Sequence, residues 1–541
     1  MSEQRKTRGQ GVSGLACTMG VGLWLLIALV AAPFVNAQPT EADLEAGEQV
    51  YLQRCAHCHG VDGDGVGAST DVVYPKPRDF TEGVYKFRTH HETEEGNWLA
   101  SDADIARSIR EGLHGSSMPG WEAVLTAQQI DQLVHYIKTF SEVFEEDTPG
   151  PELSFANEIP SSPESIARGK EIFETVFECQ ICHGTGGRGN GPDALAGLED
   201  DWGYRIWPAN LTKPWTYRGG SGRRDIFRNI ALGIAGTPMP PFADPDPMAD
   251  ARETDDPEEK QELEELAREL QEDIWHTVNY VQSLWTYPQE PEVKSSLTAK
   301  RVDGALPSSP DDAAWQAADI NYYPLVGQVI EEPRLFAPMT VGVEVQALHN
   351  GEEVAFRLVW DDRTESAPGE SEDEEVETYV DAVALQFSSR PLSGMEKPYF
   401  LMGDASLPTD LWYWRNDTGD AVLIQTQGAA TFQVGDTAGG LAGQGLHDNG
   451  QYRVVIRRAL QTEQADTEVQ FPVGTFIPFS VTGWDGSNGE SGGYQRTVMA
   501  WYNLYLEPEP SKAPIYLLLA GIGFGLIMEF SALYVTRKNH G

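Results

Sequence analysis

Two short stretches constrain this chain more than anything else in it: Cys55-Ala56-His57-Cys58-His59 and Cys179-Gln180-Ile181-Cys182-His183. Together they use four of the five cysteines. Two thiols three positions apart can each add across one vinyl group of the same porphyrin. The adjacent histidine then lies under the iron as proximal ligand. A redox dithiol would have a preceding strand and no fixed histidine, and a zinc site would have a second ligand pair nearby. The spacing therefore predicts two covalent haem c groups, bound by Cys55, Cys58 and His59 and by Cys179, Cys182 and His183.

The flanks repeat as well. Asp43 to Tyr51 reads DLEAGEQVY and Ser165 to Phe173 reads SIARGKEIF, each a helical stretch with a glycine and an aliphatic-aromatic pair ahead of the first cysteine. A glycine inside a helix costs about 1 kcal/mol against alanine. That cost is tolerable where another helix must cross closely. Each attachment site is followed by a long excursion, a Met-Pro pair (Met118-Pro119, Met239-Pro240) and a closing helix, Thr126 to Phe140 or Glu272 to Leu284, with apolar residues at three- and four-residue steps.

This internal repeat of whole domains resembles class I cytochrome c over about 43–145 and 160–287. The resemblance implies two all-α domains whose terminal helices cross. It also implies a distal methionine for each iron: Met118 opposite His59 and Met239 opposite His183. A thioether raises the potential relative to bis-histidine ligation. His57, His90, His91 and His114 are alternative ligands for the first iron, His114 the foremost. Lys76 to Phe80 and Trp207 to Leu211 fall where such a domain lays chain around the propionate edge, so Arg78 is either a propionate partner or an exposed cation.

The 541 residues suggest three or four domains. Acidic residues outnumber basic ones by 83 to 39, a net charge of −44. That excludes nucleic acid as a main partner. It suits either a basic redox partner or salty surroundings. Residues 1–37 read as a secretory signal peptide cut after Ala37, with an uncleaved anchor as the alternative, and Cys17 leaves with it. Residues 514–535 form an apolar run long enough to span a bilayer. Arg537 and Lys538 follow it, so the positive-inside rule puts the body in the periplasm and makes this a single-pass inner-membrane protein. Glu529 lies inside the span, either paired with another helix or snorkelling. Glu145 to Pro163 reads as a linker. An acidic insertion covers 244–272 and another acidic stretch covers Glu365 to Glu377, each either a solvated charge run or a docking surface.

From about 293 to 508 the pattern turns to short strands. Val341 to Leu348 and Glu353 to Trp360 are joined by His349-Asn350-Gly351-Glu352, a strong hairpin signal. Further strands read at Val380 to Phe387, Leu411 to Arg415, Ala421 to Gln427, Tyr452 to Arg457 and Phe476 to Trp484, which together predict a β-sandwich of six to ten strands. The strings Glu353 to Trp360, Asp381 to Phe387, Phe400 to Asp404, Trp412 to Trp414 and Trp484 to Gly493 resemble the haem-binding gamma subunit of periplasmic molybdenum dehydrogenases typified by ethylbenzene dehydrogenase. That resemblance implies a non-covalent haem b held between a methionine, matched by Met402, and a lysine just after the glycine pair. This chain reads Tyr494-Gln495-Arg496 there. A guanidinium has no free lone pair for iron. His447 is then the nearest substitute, or the pocket holds no haem.

The architecture expected is therefore multidomain: two all-α cytochrome c domains, a β-sandwich and a C-terminal transmembrane helix. Such a chain would be a non-catalytic electron-transfer subunit of a periplasm-facing respiratory complex. It would connect a quinol oxidoreductase or molybdoenzyme with a soluble carrier or oxidase. The rival readings are a haem-dependent periplasmic reductase or peroxidase, which needs an open iron position, and an interaction subunit whose sandwich binds a partner protein.

Overall fold

The computed structural model describes residues 39–243, 246–368, 379–394, 396–435, 439–511 and 513–539. The signal peptide with Cys17 lies outside these residues, as does most of the acidic stretch Glu365 to Glu377.

Three helices carry the first domain: α1 (Glu41–Arg54), α2 (Asp102–Glu111) and α3 (Ala127–Lys138). Each begins on a capping box, at Thr40 with Asp43, Ser101 with Asp104 and Thr126 with Gln129. The box satisfies backbone N–H groups that a helix start leaves open. Tyr51, Ile105, Ile109, Ile130, Leu133 and Ile137 form the core between them. Helix α1 crosses α3 at Gly47, where a Cβ would lie 2.3 Å from the Gln132 carbonyl oxygen.

The second domain repeats the plan with α4 (Pro163–Glu171), α5 (Arg223–Ala231) and α6 (Pro257–Ser283). A Cβ on Gly169 would meet the His276 carbonyl oxygen at 1.9 Å. Both helix glycines are thus explained by a crossing helix. Pro247–Glu253 of the acidic insertion forms a separate short helix, and from Pro257 onward the insertion and the closing helix are one continuous element. The first half of α6 is exposed and charged, while Ile274, Trp275, Val278 and Val281 bury its second half against Phe173 and Phe227. The linker runs along the first domain, with His91 N–H donating to Pro151 and Leu153 N–H to Thr89, both at 2.9 Å.

Among the described residues, eleven strands then form one strongly curled sheet. They are β1 (Ser296–Arg301), β2 (Asn321–Pro324), β3 (Gly342–His349), β4 (Glu353–Asp361), β5 (Ala382–Ser388), β6 (Thr409–Arg415), β7 (Ala421–Thr426), β8 (Ala442–Asp448), β9 (Gln451–Ala459), β10 (Phe476–Trp484) and β11 (Tyr502–Leu506). The order is β7-β6-β5-β10-β11-β1-β3-β4-β9-β8, with β2 on β3. The pairs β11/β1 and β1/β3 are parallel. The sheet comes close to a barrel, because Gly443 on β8 lies against Ala421 on β7. Its interior is aromatic, built on Tyr323, Phe356, Trp412, Trp414 and Tyr452. Four strands escaped the sequence reading: β1, β2, β8 and β11. Strand β8 reads AGQGLHD. Its two glycines weaken any strand signal, and they are what lets the opposite edge approach.

After the sheet, α7 (Ala513–Asn539) is long and apolar enough to cross a membrane and ends on Arg537 and Lys538. The chain is a single-pass inner-membrane protein, and the positive end of this helix leaves the preceding body on the periplasmic side.

Candidate functional site

Both attachment motifs have the same local form. Cys55 closes α1 and Ala56–His59 makes one further helical turn, while Gln180–His183 does the same after Cys179. His59 Nδ1 lies 3.0 Å from the carbonyl oxygen of Arg78, and His183 Nδ1 lies 3.1 Å from that of Ala209. A carbonyl only accepts, so Nδ1 carries the proton in each ring. That leaves the lone pair on Nε2, the tautomer an iron ligand needs. Burial lowers the pKa of both imidazoles, which keeps them neutral. His59 also stacks on Phe80 at 4.5 Å, which fixes its ring plane. The four thiols are free, and burial pushes Cys55 up to about 11 and Cys179 up to about 12.

The two Met-Pro loops are built alike, bond for bond. Leu113 N–H donates to the Met118 carbonyl at 3.0 Å, and Ile234 N–H to the Met239 carbonyl at 3.1 Å. Ser116 Oγ donates to Leu113 at 2.6 Å and Thr237 Oγ1 to Ile234 at 2.7 Å. Each hydroxyl in turn accepts from the methionine N–H, at 3.2 and 3.3 Å. A hydroxyl two residues before methionine therefore braces each loop. The sequence carried this signal as Ser-x-Met-Pro and Thr-x-Met-Pro, and the reading above missed it. Met118 and Met239 are half-buried, and His114 is exposed on the same loop as Met118.

In the sheet domain Met402 is fully buried among Ala382, Ala384, Leu411, Tyr413, Ile424 and Trp484. Its φ of +64° is unusual for a side-chain-bearing residue. The strain is held by Thr426 Oγ1 and Gly428 N–H, which donate to the Met402 carbonyl at 3.0 and 2.9 Å. Arg496 is fully buried, and its Nη1 donates to Thr482 Oγ1 at 2.7 Å. Thr482 pairs with Ala384 across the strands, so Arg496 and Met402 flank the same patch of sheet. Among the described residues, Arg496 Nη2 has no hydrogen-bond partner. His447 lies elsewhere: its Nε2 is 3.0 Å from the Asp362 carbonyl oxygen, and its ring packs on Tyr452. The structure does not bring His447 into contact with Met402.

Asp362, Asp381 and Asp485 close the rim of the sheet at three strand ends, with an oxygen of each within 4.8 Å of the others. Burial, reinforced by mutual repulsion, raises Asp362 well above the usual carboxylate range and Asp381 to about 7. These hard oxygen donors suit a divalent cation such as Ca2+ better than low-spin haem iron. Next to them, Asp361 joins the sheet to the second cytochrome domain. Lys213 Nζ lies 2.6 Å and Arg188 Nε 3.2 Å from its two oxygens, and Asn210 donates to it at 2.8 Å. Thr185, two residues past His183, reaches Asn449 on the β8–β9 turn at 3.4 Å. The sheet thus docks on the attachment loop of the second domain. Sequence reasoning missed this contact, because its partners are 148 to 264 residues apart.

The comparisons agree with this geometry. A cytochrome c family model matches residues 44–141 and 166–285, and an ethylbenzene dehydrogenase model matches residues 312–439. A heme subunit ascribed to the respiratory nitrate reductase of Haloferax mediterranei is 24% identical over 241 residues, which is 43% of this chain and 82% of that relative. The dimethylsulfide dehydrogenase gamma subunit of Rhodovulum sulfidophilum is 28% identical over 177 residues, 31% of this chain and 62% of that subunit. Among solved structures, a chain from the reducing HAO-like protein complex of Kuenenia stuttgartiensis is 36% identical at a TM-score of 0.38, covering 45% of this chain and 96% of that one. The chain is a tandem of two class I cytochrome c domains followed by a domain of the ethylbenzene dehydrogenase family, and its general role is that of a multihaem electron-transfer subunit of a respiratory-type complex.

Proposed function

We propose that this chain relays electrons between a membrane quinol oxidoreductase or a molybdoenzyme and a soluble carrier or oxidase on the periplasmic side. Haem c one is attached at Cys55 and Cys58, with His59 and Met118 as axial ligands. Haem c two is attached at Cys179 and Cys182, with His183 and Met239. The observation that carries this reading is the duplicated pair of devices: a histidine fixed by a backbone carbonyl, and a Met-Pro loop braced by a hydroxyl. Two filled axial positions suit electron transfer and leave no place for substrate. Domains tethered together raise one another's effective concentration. The H. mediterranei and R. sulfidophilum relatives are both subunits of oxidoreductases, which supports a place beside a catalytic partner.

The proposal extends to one non-covalent haem b at Met402. Its support is the family match and the strained, buried methionine. Where the family's lysine is expected, just after the glycine pair, this chain reads Tyr494-Gln495-Arg496, and a guanidinium offers no lone pair. Such a haem would have one protein ligand from the family's pair and would take an added ligand. The test is acid–organic extraction and carbon monoxide binding on the detergent-purified protein. The reading predicts one extractable haem per chain, lost in Met402→Ala, that binds carbon monoxide when reduced. Finding no extractable haem in protein made with ample haem would leave the sheet as a docking module. Carbon monoxide binding to the c haems would favour a catalytic reductase or peroxidase.

A further inference from the structure

Both methionine loops carry a glycine three residues before the methionine, Gly115 in the first domain and Gly236 in the second. Both sit at positive φ, +67° and +71°, where glycine is unstrained. What lies against them differs. A Cβ on Gly236 would first strike the Trp202 ring of its own domain, at 2.4 Å, with Arg78 Nη1 of the first domain beyond it at 3.1 Å. A Cβ on Gly115 would lie 2.8 Å from the carbonyl oxygen of Thr216, and among the described residues the three nearest atoms all belong to Thr216. The first loop therefore rests on the second domain. Thr216 ends a single 3-10 turn, Pro214–Thr216. Its N–H and Oγ1 both donate to the Lys213 carbonyl, at 3.0 and 2.8 Å, and Tyr217 N–H donates to Pro214 at 3.1 Å. Three bonds within five residues make the turn one stiff piece. Its other side carries the sheet. Lys213 Nζ lies 2.6 Å from Asp361, and Trp215 meets Tyr322 of β2 edge-on, with ring centroids 6.4 Å apart. Just past the turn, a Cβ on Gly219 would lie 2.7 Å from the ring of Phe87 in the first domain. One short segment of the second domain thus touches both of its neighbours.

We propose that Thr216 is a positioning residue for the first haem: its turn backs the Met118 loop, and docking of the sheet holds the turn in place. This rests on the reading of Met118 as an axial ligand and adds to it that the ligand is steadied from outside its own domain. Coupling of this kind runs through contiguous packed and hydrogen-bonded elements. Here the links are Asp361, Lys213, the turn, Thr216, Gly115 and Met118. The last link is short, because Leu113 N–H holds the Met118 carbonyl and Ser116 Oγ bridges the same bend. A shift at Gly115 therefore carries Met118 with it. Met239 has Trp202 of its own domain behind its loop, so it should not respond when the sheet is released.

The test is imidazole exchange for the thioethers of the ferric full-length protein in detergent. Met118→Ala and Met239→Ala each remove one exchange phase and so assign the two. Lys213→Met and Trp215→Ala release the turn from the sheet, and either serves where the other folds poorly. The expected result is several-fold faster exchange in the Met118 phase, an unmoved Met239 phase, and faster hydrogen–deuterium exchange over residues 113–118. Lys213→Arg, which keeps the cation, should restore most of the parent rate. Gly115→Ala, which presses the loop off Thr216, should speed the Met118 phase with the sheet still docked. An unmoved Met118 phase in both turn variants at full haem content would overturn the proposal, as would equal acceleration of both phases. If Met118→Ala removes no phase, the axial-ligand reading itself falls, and the proposal with it.

Discussion

Lys213 of the second cytochrome domain places its Nζ 2.6 Å from Oδ2 of Asp361 at the end of β4, and Arg188 Nε holds the other oxygen at 3.2 Å. Burial by itself would raise the Asp361 carboxyl, but the two cations outweigh it and hold the group well below the usual carboxylate range. A depressed carboxylate contributes stability above its unfolded pKa, about 3.9, and loses it as pH falls through the folded value. The docked state should therefore weaken only below about pH 4. Asp361→Asn leaves two cations facing an uncharged amide and should cost about 3 kcal/mol at pH 7. Thermal unfolding and limited proteolysis between the domains measure it.

The helix crossings give a second prediction. Alanine at Gly47 or Gly169 would push a Cβ into a backbone carbonyl at 2.3 or 1.9 Å, and backbone cannot swing aside as a side chain can. Each change should destabilise its domain by about 1–3 kcal/mol through overpacking, with Gly169→Ala the worse. The melting temperature of the haem-loaded protein reads the effect.

How legible this was depended on the range of the signal. The attachment motifs, the crossing glycines and the Asn350-Gly351 hairpin are local, and each stands where its residues predict. Strand β8 was invisible because its glycines serve the sheet's closure, a tertiary demand. The Asp361 contact and the carboxylate rim join residues far apart in sequence, so no window of the chain contains them. Arg496 was legible as a missing lysine, but its complete burial against Thr482 was not.

Glu490 supplies a pH prediction of opposite sign. Burial first, and then Asp485, raise its carboxyl to about 8. A raised group contributes stability that is fully present below its unfolded pKa, near 4.3, and lost as pH rises through the folded value. The sheet domain should therefore weaken between about pH 4.3 and pH 8. Glu490→Gln should melt higher than the parent at pH 8 and equal to it at pH 4, as followed by circular dichroism.

The methionine loops predict that Met118→Ala and Met239→Ala keep their covalent haem and lower one potential each. Each should also halve the weak near-red band of thioether ligation to ferric iron. Ser116→Ala and Thr237→Ala should do less: each removes one loop brace worth about 1 kcal/mol and should speed thioether exchange with added imidazole.

A C-terminal truncation after residue 508 removes α7, so the remaining body should be recovered as a soluble red protein. Retention in salt-washed membranes would point to an anchor at the other end.

The most direct test of the account is the pyridine haemochrome stoichiometry of the full-length protein after acid–organic extraction. The account predicts two non-extractable haems per chain. Replacing Cys55 and Cys58 with serine should remove one of them, and replacing Cys179 and Cys182 should remove the other. A single covalent haem, or two that survive either double replacement, would contradict it.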